Sequence, residues 1–278
     1  MKVKLASNYG FCFGVKRAIK IAEDYENSAT MGPLIHNQDE INRLKNDFNV
    51  GLYNNLSDVK DHDTVIIRTH GIPKNDLKHL RTLNAKIINA TCPFVTTPQQ
   101  IVKKMSSEGY SILIFGDSDH PEVKGVQSYA ENQDDVHIVL EPSDLQNIIF
   151  KNNKIATVAQ TTKKKEKYLE IVNYLILKNK EVRVFNTICD ATFENQDAAR
   201  ELSKEVDIMI VIGGKNSSNT KQLHSICLEN CPNSYLIENE TELESSWFLN
   251  KNLCGVTAGA STPDWIIQQV VDKIESFN

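Results

Sequence analysis

The sequence lacks a long hydrophobic run. Its longest apolar runs, such as IMIVI at 208–212, are far shorter than the roughly 18–20 residues of a membrane-spanning helix. The N-terminal sequence MKVKLASNYG also lacks the apolar core of about 7–15 residues that marks a secretory signal. We therefore expect no membrane association, no secretion and a cytoplasmic location.

The chain also lacks an excess of basic residues. It has 31 Lys and Arg against 36 Asp and Glu, a net charge of −5, whereas nucleic-acid-binding proteins normally carry a basic excess. We therefore expect no nucleic-acid partner. The length of 278 residues, with 40% hydrophobic and 24% charged residues, is typical of a globular protein with a sizeable core.

A disulfide framework is not expected, because the chain is long and shows no secretory context. Of the six cysteines, only Cys227 and Cys231 are close in sequence, and their C-x₃-C spacing is not a standard zinc motif. These two lie on one face of a predicted helix, and Cys254 lies in an apolar strand. We expect all three to be core residues.

Three segments share one pattern: a short β-rich run, then a cysteine, then a helix. The three cysteines are Cys12, Cys92 and Cys189. After each of them comes a strand that ends in glycine, at Gly32, Gly116 and Gly213. Two further features recur in the same order, so the sequence predicts three related units, of which the first is a compressed version.

Each unit alternates strands and helices, which indicates a small parallel sheet. We therefore predict an α/β fold of three pseudo-repeated units with these ranges and cysteines: 1–90 with Cys12, 91–187 with Cys92, and 188–278 with Cys189. Because functional loops of parallel sheets lie at the carboxyl ends of strands, three such units with a shared centre would direct their loops to one cavity.

The repeated cysteines point to metal chemistry. A single cysteine at a strand end is usually a small buried residue, but three in equivalent positions suit an iron–sulfur cluster or a zinc ion. Iron–sulfur clusters usually take four cysteines. Three ligands would therefore leave one iron open as a Lewis acid.

Polar residues gather in the loops after the predicted strands. The loop GGKNSSN at 213–219 offers N–H, hydroxyl and amide donors before a helix, which is typical of an anion site. The segments QTT at 160–162 and GAST at 259–262 add hydroxyl groups at matching points, where His70, Thr161 and Ser261 are paired by position. The loop does not follow the P-loop pattern, so no nucleotide is implied.

Three histidines, His36, His70 and His120, also follow strand ends. Beside three cysteines they favour a functional reading over a structural one. Glu122 comes two residues after His120, and a carboxyl group next to a histidine in such a loop suits proton delivery.

Together these motifs closely resemble the 4-hydroxy-3-methylbut-2-enyl diphosphate reductases, iron–sulfur enzymes of the methylerythritol phosphate route to isoprenoids. The resemblance is carried by GFCFGVKRAI, HGI, ATCPFV, HPEVKG, QTT, NTICDAT, KNSSNT and VTAGASTPDW, and runs from about residue 5 to residue 270. It implies a trefoil of three α/β units around a central cavity. It also implies reductive removal of the substrate hydroxyl, with two electrons and two protons, to give isopentenyl and dimethylallyl diphosphate.

The resemblance also implies the site. A [4Fe–4S] cluster with one open iron would be held by Cys12, Cys92 and Cys189. The substrate diphosphate would be held by His36, His70, Ser217, Ser218, Asn219 and Ser261, with help from His120. Glu122, Thr161 and His120 would form the catalytic set, with Glu122 and Thr161 organising the proton relay. Reduced ferredoxin or flavodoxin would be the electron donor.

One departure concerns the third helix, where the family usually has arginine before glutamine and this chain has Asn195. Two other readings of the same residues stay open. One is a zinc-dependent enzyme or zinc-stabilised phosphoester-binding protein that uses the same three thiolates. The other is a non-catalytic binding protein in which the three cysteines are core residues.

Overall fold

This computed structural model describes residues 1–35 and 37–277, and only the backbone of Thr192. Its strands are β1 (Lys2–Leu5), β2 (Ala29–Met31), β3 (Gly51–Tyr53), β4 (Thr64–Ile67), β5 (Lys86–Asn89), β6 (Ser111–Phe115), β7 (Val136–Val139), β8 (Lys154–Ala159), β9 (Glu181–Val184), β10 (Ile208–Ile212), β11 (Ser234–Ile237) and β12 (Leu253–Ala258). Its α-helices are α1 (Phe13–Asp24), α2 (Gln38–Phe48), α3 (Lys74–Leu80), α4 (Pro93–Ser107), α5 (Pro121–Gln127), α6 (Lys165–Lys178), α7 (Asp190–Ser203), α8 (Ser218–Asn230) and α9 (Asp264–Glu275).

Within the described residues the strands form three four-stranded sheets, and every pairing is parallel. Sheet A has the order β1-β12-β10-β11, sheet B the order β3-β2-β4-β5, and sheet C the order β7-β6-β8-β9. Helices connect the strands, as parallel pairing requires. The α/β fold class, with three small parallel sheets of one topology, is confirmed.

The chain forms two compact units. Unit 1 contains Met1–Ile19, Ile35–Asp47 and the segment from Asp190 to the C-terminus, and unit 2 contains Lys20–Leu34 and Phe48–Cys189. Sheet A lies in unit 1, and sheets B and C lie in unit 2. The predicted division into three consecutive segments stays a prediction.

The first strand pairs with a strand outside the first predicted unit. It lies in the range 1–90, yet it pairs in parallel with β12, with Lys2 opposite Leu253. β5 pairs with β4 and β9 with β8. Each strand before a cysteine thus completes the sheet of the preceding repeat, and for β1 that repeat is the last one in the chain. The cysteines lie where the chain passes from one sheet to the next.

Strand β10 of sheet A is apolar throughout because helices pack against both faces of the sheet. In β10, Ile208, Ile210 and Ile212 belong to the cluster that includes α9, and Met209 and Val211 belong to the cluster that includes α7 and α8. Successive side chains of a strand point to opposite faces, so helices on both faces leave no place for a polar residue. Among the described residues, no helix is both long and apolar enough to span a lipid bilayer.

Candidate active site

The three repeated cysteines share one local structure. Each follows a strand and directly precedes a helix: Cys12 comes before α1, Cys92 is the N-cap of α4, and Cys189 comes before α7. In each case the backbone N–H donates to the carbonyl oxygen of the residue two positions beyond the end of a neighbouring strand. The three acceptors are those of Ala260 at 3.2 Å, Thr69 at 2.9 Å and Thr161 at 2.9 Å. The structural equivalence of the cysteines is therefore confirmed.

The other three cysteines lie in a different environment. Cys227 and Cys231 are buried in the cluster of α7 and α8, and Cys254 is buried on β12. Burial raises the pKa of Cys227 and of Cys254 to about 12, so both thiols stay protonated. Their expected role as core residues is confirmed, since a protonated, enclosed thiol is a poor metal ligand.

Cys12, Cys92 and Cys189 are better suited to hold a metal group. All three are only partly buried and lie at helix N-termini, where the helix dipole favours the negative charge of a thiolate. In the part of the chain that the structure describes, no group of three or more His, Cys, Asp or Glu side chains could by itself hold a metal ion. Cys12 belongs to unit 1, while Cys92 and Cys189 belong to unit 2.

Glu122 and Thr161 form a buried polar pair in unit 2. The carboxyl group of Glu122 is 1% exposed. It accepts one hydrogen bond from the backbone N–H of Thr161 and another from its hydroxyl group, both 2.7 Å long. Burial raises the pKa of Glu122, and the two bonds from Thr161 oppose that rise without cancelling it. The site therefore holds a carboxyl group with an increased tendency to keep its proton, in contact with a hydroxyl group.

The same network reaches a cysteine and two histidines. The carbonyl oxygen of Thr161 accepts the N–H of Cys189. His120 is the N-cap of α5, and its Nδ1 accepts the backbone N–H of Glu122 at 3.2 Å. The neutral ring therefore carries its proton on Nε2. The rings of His70 and His120 lie edge to face, with centroids 5.3 Å apart. Unit 2 thus brings together five of the residues that the sequence selected.

The strand register corrects one match between the repeats. The last residues of three strands occupy the same place in their sheets: Ile67, Ala159 and Ala258. Each of them pairs with the residue just before the glycine that ends a neighbouring strand, Gly32, Gly116 or Gly213. Thr161 lies two residues beyond, as do Thr69 and Ala260. His70 and Ser261 lie three residues beyond, so their partner is Thr162. Matching Thr161 with His70 and Ser261 was therefore wrong by one residue, because loop residues carry no hydrophobic pattern that sets the register.

In unit 1, the loop after β10 leads into α8 through a capped N-terminus. The Ser217 hydroxyl accepts the backbone N–H of Thr220 at 3.3 Å, and Ser218 and Asn219 are the first two residues of the helix. Asn219 is only 5% exposed, yet neither its side-chain oxygen nor its nitrogen has a hydrogen-bond partner among the described residues. Buried amides are almost always paired, which makes this amide a candidate to bind a group from outside the chain.

Of the other predicted anion ligands, Ser261 is 9% exposed and follows β12, the strand next to β10. Lys215, in the same loop as Ser217 but not a predicted ligand, is exposed and bonds to Glu242 at 2.6 Å. His36 lies outside the described residues. Asn195, which replaces the usual arginine, is buried in α7, where a neutral amide costs less than an unpaired charge.

One equivalence was missed in the sequence. His120 and Ser217 are both helix N-caps, and each follows its strand-end glycine, Gly116 or Gly213, by four residues. Glu122 and Asn219 are then equivalent, as the second residues of α5 and α8. Counting from the glycine would have shown this, and the same count in the first repeat reaches His36 from Gly32.

Fold and site define a class of protein: a three-sheet α/β protein with one cysteine at each passage between sheets and buried polar groups at helix N-termini. Residues 3–275 match the sequence profile of the family described as LytB protein. The chain belongs to the LytB family. The resemblance drawn from its motifs is confirmed by relatives that carry the reductase name.

The 4-hydroxy-3-methylbut-2-enyl diphosphate reductase of Sulfurovum sp. (strain NBC37-1) is 64% identical over 277 residues, covering 100% of both chains. The reductase of the same name from Campylobacter concisus (strain 13826) is 62% identical over 275 residues, covering 99% of both.

Two solved structures are similar along nearly the whole chain. One is (E)-4-hydroxy-3-methyl-but-2-enyl diphosphate reductase, described as the terminal enzyme of the non-mevalonate pathway. It has a TM-score of 0.75 and 43% identity, and the match covers 99% of this chain and 100% of that one. The other is the E-1-hydroxy-2-methyl-but-2-enyl-4-diphosphate reductase from Plasmodium falciparum, with a TM-score of 0.89, 28% identity, and coverage of 98% and 87%.

Proposed function

We propose that this protein catalyses the reductive dehydroxylation of (E)-4-hydroxy-3-methylbut-2-enyl diphosphate. The carbon–oxygen bond to the 4-hydroxyl group breaks and the oxygen leaves as water. Two electrons and two protons are consumed, one proton in the water and one on carbon, which gives isopentenyl or dimethylallyl diphosphate. The observation that carries this proposal, beyond family membership, is the pair of equivalent buried groups, Glu122 with a bound hydroxyl and Asn219 without a partner.

Three thiolates fit the metal group that the reaction needs. Cys12, Cys92 and Cys189 would hold a [4Fe–4S] cluster, since all three are partly exposed and each lies at the start of a helix. When bound, such a cluster supplies single electrons and an iron without a protein ligand, which is a Lewis acid for the substrate hydroxyl. Reduced ferredoxin or flavodoxin is the proposed electron donor, and the cytoplasm the proposed location.

The donors of unit 1 suit a diphosphate. Asn219 offers an unpaired amide at the N-terminus of α8, where the helix dipole favours an anion. Ser217, Ser218 and Ser261 add hydroxyl groups. We propose that these residues hold the substrate together with His36, His70 and His120. Few lysine and arginine side chains are needed, because N–H and hydroxyl donors around a buried anion bind it strongly.

The pair in unit 2 suits proton transfer. Hydroxide is a poor leaving group, so the reaction needs an acid at the leaving oxygen. Burial raises the pKa of Glu122, which increases the tendency of its carboxyl group to hold a proton. The Thr161 hydroxyl, 2.7 Å from the carboxyl group, can pass a proton to the substrate oxygen and take one from Glu122. His120 positions the backbone of Glu122 through its own hydrogen bond.

The test of this function is the iron and acid-labile sulfide content of protein purified without oxygen. We expect the parent to be brown and to carry about four irons and four sulfides per chain, the composition of one such cluster. Cys12→Ser, Cys92→Ser and Cys189→Ser should each lose the cluster and the activity, because serine is a poor ligand for soft iron–sulfur centres.

Cys227→Ser is the matched control, since it makes the same change in a core position and should keep the cluster. Two outcomes would contradict the proposal. A colourless parent that contains zinc would favour the zinc reading. A parent that stays folded and metal-free would favour a binding protein.

A further inference from the structure

A second cavity lies in unit 2, at the carboxyl end of sheet B. Its volume is 570 Å³, within the range of about 300–1,000 Å³ of small-molecule sites. It is enclosed by the ends of β2 and β4, the loop after β3 and the start of α3. The proposed proton relay uses residues that follow β6 and β8 of sheet C. His70, a proposed diphosphate ligand, follows Arg68 by two residues but does not line this cavity. The cavity is therefore next to the loops of the proposed substrate site, and its described lining residues are different ones.

Arg68 supplies the cavity with a positive charge that has no acidic partner among the described side chains. It directly follows β4 and is partly buried. Its hydrogen bond to the protein is a long one, from Nε to the carbonyl oxygen of Gly71 at 3.4 Å. No described acidic side chain forms a salt bridge with it, although Asp76 lines the same cavity. A partly buried guanidinium normally pairs with a carboxylate or a phosphate.

The backbone is shaped to hold this guanidinium. Gly32 ends β2 with a φ of +73°, and a Cβ placed on it would lie 2.7 Å from Nη1 of Arg68. Real Cβ atoms do not come that close, so any larger residue at this position would displace the arginine. Burial also lowers the pKa of Arg68, the effect expected when a cation is held in a site without its counter-ion.

The other walls indicate the chemistry of the occupant. Met31, Leu56 and Ile72 give apolar surface, and Asn54 and Ser57 give neutral hydrogen-bonding groups. We infer that this cavity binds a small organic anion, in which a phosphate or carboxylate head group pairs with Arg68 and an apolar body packs against Met31, Leu56 and Ile72. Guanidinium groups bind both kinds of head group through two parallel hydrogen bonds.

The test is a calorimetric titration of the cluster-loaded protein without oxygen, with three probes. Dimethylallyl diphosphate and 3-methylbut-2-enoate share an apolar body and differ in the head group, and inorganic diphosphate has no apolar body. We expect one of the two probes with an apolar body to bind at a site that Arg68→Gln weakens at least about tenfold, the loss typical of a bond to a charged group. Which of them binds identifies the head group, and inorganic diphosphate should bind that site more weakly.

Two further variants make the result specific. Arg81→Gln removes the same charge from an exposed position just after α3 and should leave the site intact. Asn219→Ala alters the proposed substrate site and should also leave this one intact. Gly32→Ala should weaken it, as Arg68→Gln does, and where Gly32→Ala does not fold, Arg68→Gln decides. Equal binding of all three probes by the parent and by Arg68→Gln would overturn the inference.

Discussion

Glu122 and Asn219 occupy the same position in two sheets, and the surroundings of their side chains are opposite. Both are the second residue of a helix whose capping residue lies four residues past the strand-end glycine. Both are almost fully buried. The Glu122 carboxyl group accepts two hydrogen bonds within the chain, and the Asn219 amide has no partner among the residues that the structure describes. The Glu122 side chain is thus paired within the protein, whereas we propose that Asn219 pairs with the substrate.

The difference in hydrogen bonding follows from the residue just beyond the end of the neighbouring strand. The residue two positions beyond β8 is Thr161, whose hydroxyl reaches Glu122, and the residue at the same place beyond β12 is Ala260, which has no hydroxyl. In our proposal, two equivalent positions of one scaffold therefore serve proton transfer in one repeat and anion binding in another.

The largest expected effect follows from Glu122→Gln. Glutamine keeps the size and hydrogen bonding of the side chain but has no proton to exchange. Turnover with a strong artificial reductant should fall at least about 100-fold, the low end of the contribution of a positioned acid. Glu131→Gln, an exposed change of the same kind in unit 2, is the control. Near-normal turnover by cluster-loaded Glu122→Gln would remove Glu122 from the mechanism.

The next effect concerns binding. Asn219→Ala removes the unpaired amide and should weaken substrate binding roughly 5–150-fold, which corresponds to about 1–3 kcal/mol for a bond to a charged group. Asn230→Ala, in the last turn of the same helix and exposed, should have no such effect. Substrate titration of the cluster-loaded protein measures both. Unchanged binding by Asn219→Ala would place the diphosphate elsewhere.

A smaller effect tests the cause directly. Ala260→Thr introduces at the equivalent position the hydroxyl that Thr161 has, and should give the Asn219 amide a partner within the chain. Substrate binding should then weaken about 2–12-fold, the equivalent of about 0.5–1.5 kcal/mol for an ordinary hydrogen bond. Ala260→Val has the same shape without the hydroxyl, and serves as the control in the same titration. Equal binding by the two variants would show that the hydroxyl does not explain the difference.

The smallest effect is on stability. The pKa of Glu122 in the folded protein is above its ordinary value of 4.5 because burial disfavours the carboxylate. A raised pKa contributes stability that is fully present below the ordinary value and lost as pH rises through the folded value, with a slope of at most about 1.4 kcal/mol per pH unit. Denaturant unfolding of the parent should show this decline, and Glu122→Gln should lack it. Parallel curves for the two proteins would contradict the pKa direction.

Much of the fold could be predicted from local pattern. β10 is apolar throughout because helices cover both faces, and the three cysteines lie at strand–helix junctions, as the repeat indicated. The pairing of β1 with β12 could not be predicted, because strands separated by nearly the whole chain share no local signal. The same limit hid the division into two compact units.

The candidate site residues could be selected from the sequence, but the hydrogen bonds between them and their equivalent positions in the repeats could not. Histidine, asparagine and glutamate in loops after strands are visible in the sequence, and so is the HPE segment at 120–122. Their hydrogen bonds depend on strand register, which the loop sequences do not set. This is why Thr161 was matched one residue out of place and why the lack of a partner for Asn219 could not be foreseen.

The most direct test of the division between the two sites is the substrate dissociation constant of cluster-loaded Glu122→Gln, measured without oxygen and beside Asn219→Ala. If Glu122 serves proton transfer and Asn219 serves binding, the constant of Glu122→Gln should equal that of the parent, while that of Asn219→Ala rises. If Glu122→Gln loses as much affinity as Asn219→Ala, both residues bind substrate, and the contrast between the two repeats is not one of function.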